Sequence, residues 1–400
     1  MRGHIHRAGE NVYRIVYDRP RSVDGKRRLK TETVYGNKKK AEALLNQRIS
    51  EIRDGKYADS GKLTVETLFD RFLKSQTTLG IKTLERYCGL AKHQIIPPLG
   101  HIPLARLSPL HLQEAYASWL GGGRVDGKGG LSPQSVLACH RLLHRVLGQA
   151  VKWNLAVRNV ADAVDAPRPQ RREMLTLSEA ELVMLLRALD SPPKHVINQQ
   201  GLSSEHAFTM AIHFAAFTGC RRGECLALRW SDLDLKAGKV SIRRSVLETK
   251  TGKTHYKPPK NGKERMLQLP ESIIPILRHY KAMQAAERLA EFIYHQNDLV
   301  FARPDGSVIR PQTFSQAFKA LILRAGVPII RLHDLRHTHA TLLLNAGVHP
   351  KIVSERLGHS GVGITLDLYA HVTPTMDKDA AQRFDALFNA PEPMAEKLAC

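Results

Sequence analysis

The chain has 400 residues, with 60 Lys or Arg against 38 Asp or Glu and a formal net charge of +22. A hydrophobic content of 42% is enough for ordinary cores and excludes a disordered polycation. No run of about 18 apolar residues is present, which excludes an ordinary transmembrane helix.

At roughly 100–200 residues per domain, the length fits two to four domains. So large a positive charge favours a polyanion partner, DNA or RNA before a membrane surface. Met1-Arg2-Gly3-His4-Ile5-His6 has no apolar stretch after its charges, so no secretory leader is expected. The five scattered cysteines fit a reducing cytosol, and Cys220 and Cys225 lack the spacing of a zinc knuckle. A cytoplasmic protein associated with nucleic acid is expected.

Residues 1–60 carry 15 Lys or Arg against 8 Asp or Glu. Val12 to Tyr17 alternates as a strand does, Val23-Asp24-Gly25-Lys26 reads as a turn, and Leu29 to Tyr35 reads as a second strand. Asn37 then caps a helix with Ala41, Leu44, Leu45, Ile49 and Ile52 on its apolar face. The basic runs Lys26-Arg27-Arg28 and Lys38-Lys39-Lys40 suit a compact nucleic-acid module over 1–60, or else a solvated charged face.

From Leu63 the pattern is helical. Thr64 precedes the stripe Val65, Leu68, Phe69, Phe72 and Leu73, and further helices are expected near 83–94, 109–120 and 133–153. These make a helical domain over 63–165. Ala166 to Arg172 is proline-rich and basic, an interdomain linker whose Arg171 and Arg172 suit a phosphate backbone. A mixed, mostly helical α+β domain follows over 174–390, with a tail over 391–400. Its expected elements include a capping box at Ser178 and Glu181, a helix ending at Gly219, and strands near 239–245 and 265–269 flanking a lysine-rich turn. Helices follow Pro311, run through Leu335–Leu344, and run near Pro350–Leu357. The fold class expected is therefore multidomain and mainly α.

The last domain holds the candidate chemistry. Arg221 follows Gly219 at a helix start, and Glu224 lies three residues on, placed to hold its guanidinium. His333 and Arg336 share a helix face at the same spacing. His359 follows Gly358 at a helix end, and Tyr369 comes ten residues later. Arginines grip two phosphate oxygens at once, histidines relay protons, and a phenol among cations can attack a phosphodiester. The departing oxygen then needs a proton, which a lysine among other cations supplies. Lys250, Lys253, Lys257, Lys260 and Lys263 all fall in or near the expected hairpin, and spacing does not choose among them. His333 and His337 stand four apart, a metal-ligand spacing, but no Glu sits between them in the zinc-protease position.

Taken in order, Thr218-Gly219-Cys220-Arg221-Arg222-Gly223-Glu224, His333-Asp334-Leu335-Arg336, Leu357-Gly358-His359-Ser360 and Tyr369 resemble the motifs of the tyrosine recombinases of the phage-type integrase family. The resemblance extends over 174–390, with weaker likeness to a helical core-binding domain over 63–165 and an arm-binding domain over 1–60. It implies that Arg221 and Arg336 bind the scissile phosphate and that Tyr369 attacks it to give a 3′-phosphotyrosine and a free 5′-hydroxyl. It implies Lys260 as general acid, His333 as proton acceptor, His359 as a phosphate ligand and Glu224 in support. Met266-Leu267-Gln268-Leu269-Pro270 departs from the family's Thr-Val-Pro-Leu-Pro. The resemblance further implies no metal or other cofactor and a homotetramer on double-stranded attachment sites. A directionality factor and a host DNA-bending protein are implied as helpers. A type IB topoisomerase shares this chemistry with one subunit, and a DNA-binding regulator could share the fold without it.

Overall fold

The computed structural model describes residues 3–19, 28–53, 63–170, 174–190, 205–259, 262, 264–291 and 293–369, with helical residues at 381, 382, 384, 385 and 388. The chain forms two compact units that part between positions 171 and 172. The turn expected at 23–26, the linker arginines Arg171 and Arg172, and the tail over 391–400 lie outside the described residues.

The first unit begins with three antiparallel strands, β1 (Gly3–Gly9), β2 (Val12–Arg19) and β3 (Arg28–Tyr35), in the order β1-β2-β3. Helix α1 (Lys38–Arg53) packs against the sheet. Alternation along β2 sends Ile15 and Tyr17 inward, where they meet Ala41, Leu45 and Ile52 of α1 in a small separate core. The cap is as expected: Asn37 Oδ1 accepts from the Lys40 amide at 2.9 Å. Strand β1 was not legible, because Ile5 alone among its polar and small residues packs on the core.

Helices α2 (Val65–Ser75), α3 (Ile81–Leu90), α4 (Ile96–Leu99), α5 (Pro109–Gly122) and α6 (Pro133–Lys152) surround a second core. The α2 stripe is buried as its 3.6-residue spacing requires, with Val65, Leu68, Phe69 and Phe72 essentially inaccessible. The expected helix near 83–94 is divided: α3 passes into a wide π turn at Ala91–Ile95 before α4.

The second unit contains α7 (Glu179–Arg187), α8 (Glu205–Thr218), the single turn α9 (Arg222–Cys225), and strands β4 (Leu233–Asp234), β5 (Lys239–Ile242), β6 (Ser245–Glu248), β7 (Thr254–Lys257) and β8 (Arg265–Gln268). Helices α10 (Ile273–Ala290), α11 (Pro311–Ala325), α12 (Asp334–Asn345), α13 (Pro350–Leu357) and α14 (Gly363–Tyr369) follow. Phe208 and Phe214 of α8, with Phe301, Phe314 and Phe318, anchor its core. Fully burying each such ring stabilises the unit by roughly 1.5–3 kcal/mol.

The single hairpin expected between residues 239 and 269 needs correction. β5 pairs with β8 in the sheet β4-β5-β8, while β6 and β7 form an inserted two-stranded hairpin of their own. Lys250 and Lys253 therefore flank the β6–β7 turn, Lys257 ends β7, and Lys260 and Lys263 belong to the connection from β7 to β8.

Three chain ends decide where the site lies. Helix α8 packs against α12, and α13 packs against α12 and β8. This gathers the C-terminal end of α8, the first turn of α12 and the C-terminal end of α13. Gly219 makes the approach feasible: its φ is +62°, and a Cβ there would stand 2.5 Å from Leu357 Cδ2 and 2.8 Å from His339 Cδ2.

Candidate active site

Arg221 caps α9. Its Nη1 donates to Glu224 Oε1 at 2.8 Å, its Nη2 to the Gly358 carbonyl at 2.8 Å, and its backbone N–H to Glu224 Oε2 at 3.0 Å. Arg336 sits in the first turn of α12 and is only 3% exposed. It donates through Nη1 to the Gly219 carbonyl at 2.9 Å and through Nη2 to the Leu357 carbonyl at 2.6 Å. The two arginines thus grip consecutive carbonyls at the end of α13. That end is fixed by Gly358, whose φ of +66° closes the helix in a left-handed cap.

Glu224 is buried and bonds Arg221 as the spacing predicts, but it has a second partner that sequence reasoning missed. Arg265, the first residue of β8, donates to Oε2 at 2.6 Å and Oε1 at 3.1 Å, and its Nε reaches the Arg356 carbonyl at 3.1 Å. Burial alone would raise the Glu224 carboxyl; the hydrogen bonds and charge of Arg265, then those of Arg221, outweigh it and hold it at about 2. One carboxylate therefore sits among three guanidiniums, leaving the site cationic. Desolvation and the Arg221 charge depress Arg336 to about 9, so it remains a cation at neutral pH. An anion occupying this site would relieve both penalties.

The histidines are arranged around these cations. His333 precedes the first residue of α12, and its ring meets His337 edge-on at 5.1 Å. Desolvation, then His337 and Arg336, hold it at about 4 although one side of the residue stays open to solvent. His359 is also held at about 4, by desolvation and then by Arg336 and Arg221. Its Nδ1 lies 2.8 Å from Thr365 Oγ1 of α14. His339, on the same helix as Arg336, has no local sequence signal that marks it out. Its Nδ1 lies 3.0 Å from the Ala216 carbonyl, and Arg356 Nε donates to Nε2 at 3.2 Å, an arrangement that requires a neutral ring. Arg356 also donates to the Gln268 and Phe217 carbonyls, tying α13 to β8 and α8.

Arg221, Glu224, Arg336 and His359 are therefore brought together, with His333 at their edge. Tyr369 ends α14, which packs on α12 and α13. Its side chain, like that of Arg28, lies outside the described residues, as do Lys260, Lys26 and Arg27. Lys38, Lys39 and Lys40 stand in the first turn of α1, in the first unit. Lys38 pairs with Glu42 at 3.7 Å and Lys40 Nζ donates to the Tyr35 carbonyl, so two of the three already have local partners. His333 and His337 have no third ligand arranged for a metal among the described residues.

Stability should fall with acid because of these rings. A histidine that is neutral in the folded chain gains its proton only on unfolding. Stability is therefore full above about pH 6.5 and drops as the pH falls toward 4, by at most about 3 kcal/mol for a well-buried ring. For His339, desolvation first and the Arg356 charge second set the folded value near 4. Urea midpoints should decline between pH 6.5 and 4.5, and His339→Gln should flatten that decline. An equal slope in the variant would refute the assignment.

Residues 176–376 match the Phage integrase family, and residues 64–120 match the N-terminal SAM-like domain of phage integrases. The first match spans half the chain. The chain belongs to the phage integrase family. It is a tyrosine-type site-specific recombinase. It is 27% identical over 403 residues to a "Tyrosine recombinase XerC-like" protein of Caldanaerobacter subterraneus subsp. tengcongensis, covering 95% of this chain and 97% of that protein. It is 27% identical over 258 residues to the ICEBs1 integrase of Bacillus subtilis, covering 64% and 67%. In fold, the recombinase resembles the Tn1549 transposon integrase solved with transposon right end DNA, with a TM-score of 0.65 at 19% identity over 81% of this chain and all of that one. It also resembles the lambda integrase tetramer solved on a Holliday junction, with a TM-score of 0.54 at 18% identity over 90% and 94%.

Proposed function

We propose that the recombinase integrates or excises a phage or mobile element by cleaving and rejoining double-stranded attachment sites through a 3′-phosphotyrosine. The observation that carries this reading is the paired grip of Arg221 and Arg336 on the consecutive carbonyls of Gly358 and Leu357, beside His359. The two guanidiniums are held by protein acceptors, placed to bind the non-bridging oxygens of a phosphodiester as charge builds there.

Tyr369 Oη forms the new bond to phosphorus, and the bond to the 5′ oxygen breaks. The phenolic proton passes to His333, and Lys260 gives a proton to the departing oxygen. Desolvation, then His337 and Arg336, lower the His333 ring, so a fully formed phenolate beside a protonated His333 is disfavoured. Proton transfer must therefore accompany attack, with the phenolate charge passing to the phosphoryl oxygens held by the arginines. An incoming phosphate also raises His333 by offsetting the Arg336 and Arg221 charges that help depress it. His359 donates to a phosphate oxygen, and Glu224 fixes Arg221. The covalent link keeps the energy of the phosphodiester, so rejoining needs no nucleotide.

Exchange of two duplexes needs four such sites, hence a homotetramer on DNA, with a directionality factor and a host DNA-bending protein as assistants. The domains assigned are an arm-type DNA-binding module over 1–60, a core-binding domain over 63–165 and a catalytic domain over 174–390. Lys26, Arg27, Arg28, Lys38, Lys39, Lys40, Arg171 and Arg172 serve as phosphate contacts. Work on chromosomal DNA places the protein in the cytoplasm, at the nucleoid. Among the described residues no helix is long and apolar enough to cross a membrane.

A nicked suicide substrate carrying the element's attachment site tests the reading. The expected result is a covalent protein–DNA adduct that forms in EDTA, with recombinant products from intact sites. Binding without adduct would mean a regulator, and relaxation of supercoils without recombinants would mean a topoisomerase.

A further inference from the structure

Helix α14 is short, and among its described side chains Thr365 alone is buried. Of residues 361–366, only Thr365 is buried, with no exposed surface, while Val362, Ile364 and Leu366 all face solvent. A buried hydroxyl without a partner costs about 1–3 kcal/mol, so what meets Thr365 matters. Its hydroxyl meets His359 Nδ1 at 2.8 Å. His359 is itself fixed from behind: its amide donates to the Ser354 carbonyl at 3.0 Å, and the preceding carbonyl, of Gly358, accepts from Arg221. Positions 365 and 369 lie one helical turn apart on α14.

A neutral imidazole carries one N–H and one lone pair, and the partner of one nitrogen decides the state of the other. A hydroxyl donating to Nδ1 puts the ring proton on Nε2. That tautomer is the one able to donate to a phosphate oxygen. The reverse tautomer would present a lone pair to the phosphate and repel it. The same bond joins the helix that ends in Tyr369 to the turn that carries His359.

We propose that Thr365 is a positioning residue for strand cleavage: its hydroxyl donates to His359 Nδ1, setting the Nε2–H tautomer and docking the helix that bears Tyr369. The inference rests on the recombinase reading given above. It makes one contact serve both the phosphate ligand and the nucleophile, so losing the hydroxyl impairs the chemical step and spares DNA binding.

Thr365→Val keeps the shape and removes the hydroxyl, whereas Thr365→Ser restores it. On a suicide substrate, Thr365→Val should slow adduct formation at saturating DNA about 10- to 100-fold, the scale expected for a misplaced catalytic group. The DNA concentration for half-saturation should change less than about twofold, because the lost bond does not touch DNA. Thr365→Ser should recover to within about threefold of wild type. In a His359→Ala background, Thr365→Val should cost at most about threefold more, since effects that pass through one partner are not additive. The proposal is overturned if Thr365→Val cleaves at the wild-type rate, if Thr365→Ser is as slow as Thr365→Val, or if the two substitutions act additively. If wild-type protein forms no adduct, the recombinase reading and this inference fail together; if only the variants behave otherwise, this inference fails alone.

Discussion

Tyr369→Phe should form no covalent adduct with DNA at all and no recombinant product, while binding its attachment site with an affinity within about threefold of wild type. The substitution removes one oxygen, the one assigned to form the bond to phosphorus, and the other groups of the site are assigned to phosphate binding and proton transfer. Arg221, Arg336 and the histidines are untouched by it, so the cationic pocket still attracts phosphate. Water could attack there, but it would leave a nick rather than a linkage, and it lacks the orientation that a tethered phenol brings, which accounts for effective molarities of about 10⁵ M and above. Gel shift and denaturing electrophoresis of the same reactions separate binding from linkage. An adduct formed by Tyr369→Phe would mean that another residue is the nucleophile.

Glu224→Ala should destabilise the second unit by about 3–5 kcal/mol, as removal of one member of a buried ion group does. Glu224 is 1% exposed and is shared by Arg221 and Arg265, so its loss leaves two guanidiniums facing each other with Arg336 nearby. Activity should fall more than stability alone explains, because Arg221 loses the partner that fixes its plane. Removing the opposing charge as well tests this: Glu224→Gln with Arg265→Gln should regain much of the stability lost in Glu224→Ala but little of the cleavage rate. A urea midpoint for Glu224→Ala unchanged from wild type would contradict the account.

The parts of the site legible in the sequence are those whose meaning is local. Gly219, Arg221 and Glu224 fall within six residues and His333 and Arg336 within one turn, so local spacing is enough to place each group. The parts that were not legible depend on contacts far apart in the chain. Arg265 is 41 residues from Glu224 and 91 from Arg356, and in the sequence it closes a basic run in which any cation looks solvated. Its position at the start of a strand was the available signal. Arg356 and His339 meet across 17 residues, and the carbonyls that hold Arg356 come from β8 and α8.

The same holds for the fold. Most helices between residues 63 and 165 show their stripes and caps in the sequence, and they form close to where the stripes fall. The two strands expected near 239–245 and 265–269 do pair, as β5 and β8, but the complete hairpin β6–β7 inserted between them was not read, because its short strands lie within a stretch that looks like one lysine-rich turn. Helix α10 went unread although Ile273, Leu277 and Tyr280 lie at i, i+4 and i+7 and are buried; Pro270 and Pro275 punctuate its start and disguise it.

The most direct test of the central claim is to digest a trapped adduct with nuclease and protease and find by mass spectrometry which amino acid bears the residual nucleotide. The account requires a 3′-linked nucleotide on the oxygen of Tyr369; a nucleotide on any other side chain, or a 5′ linkage, would contradict it.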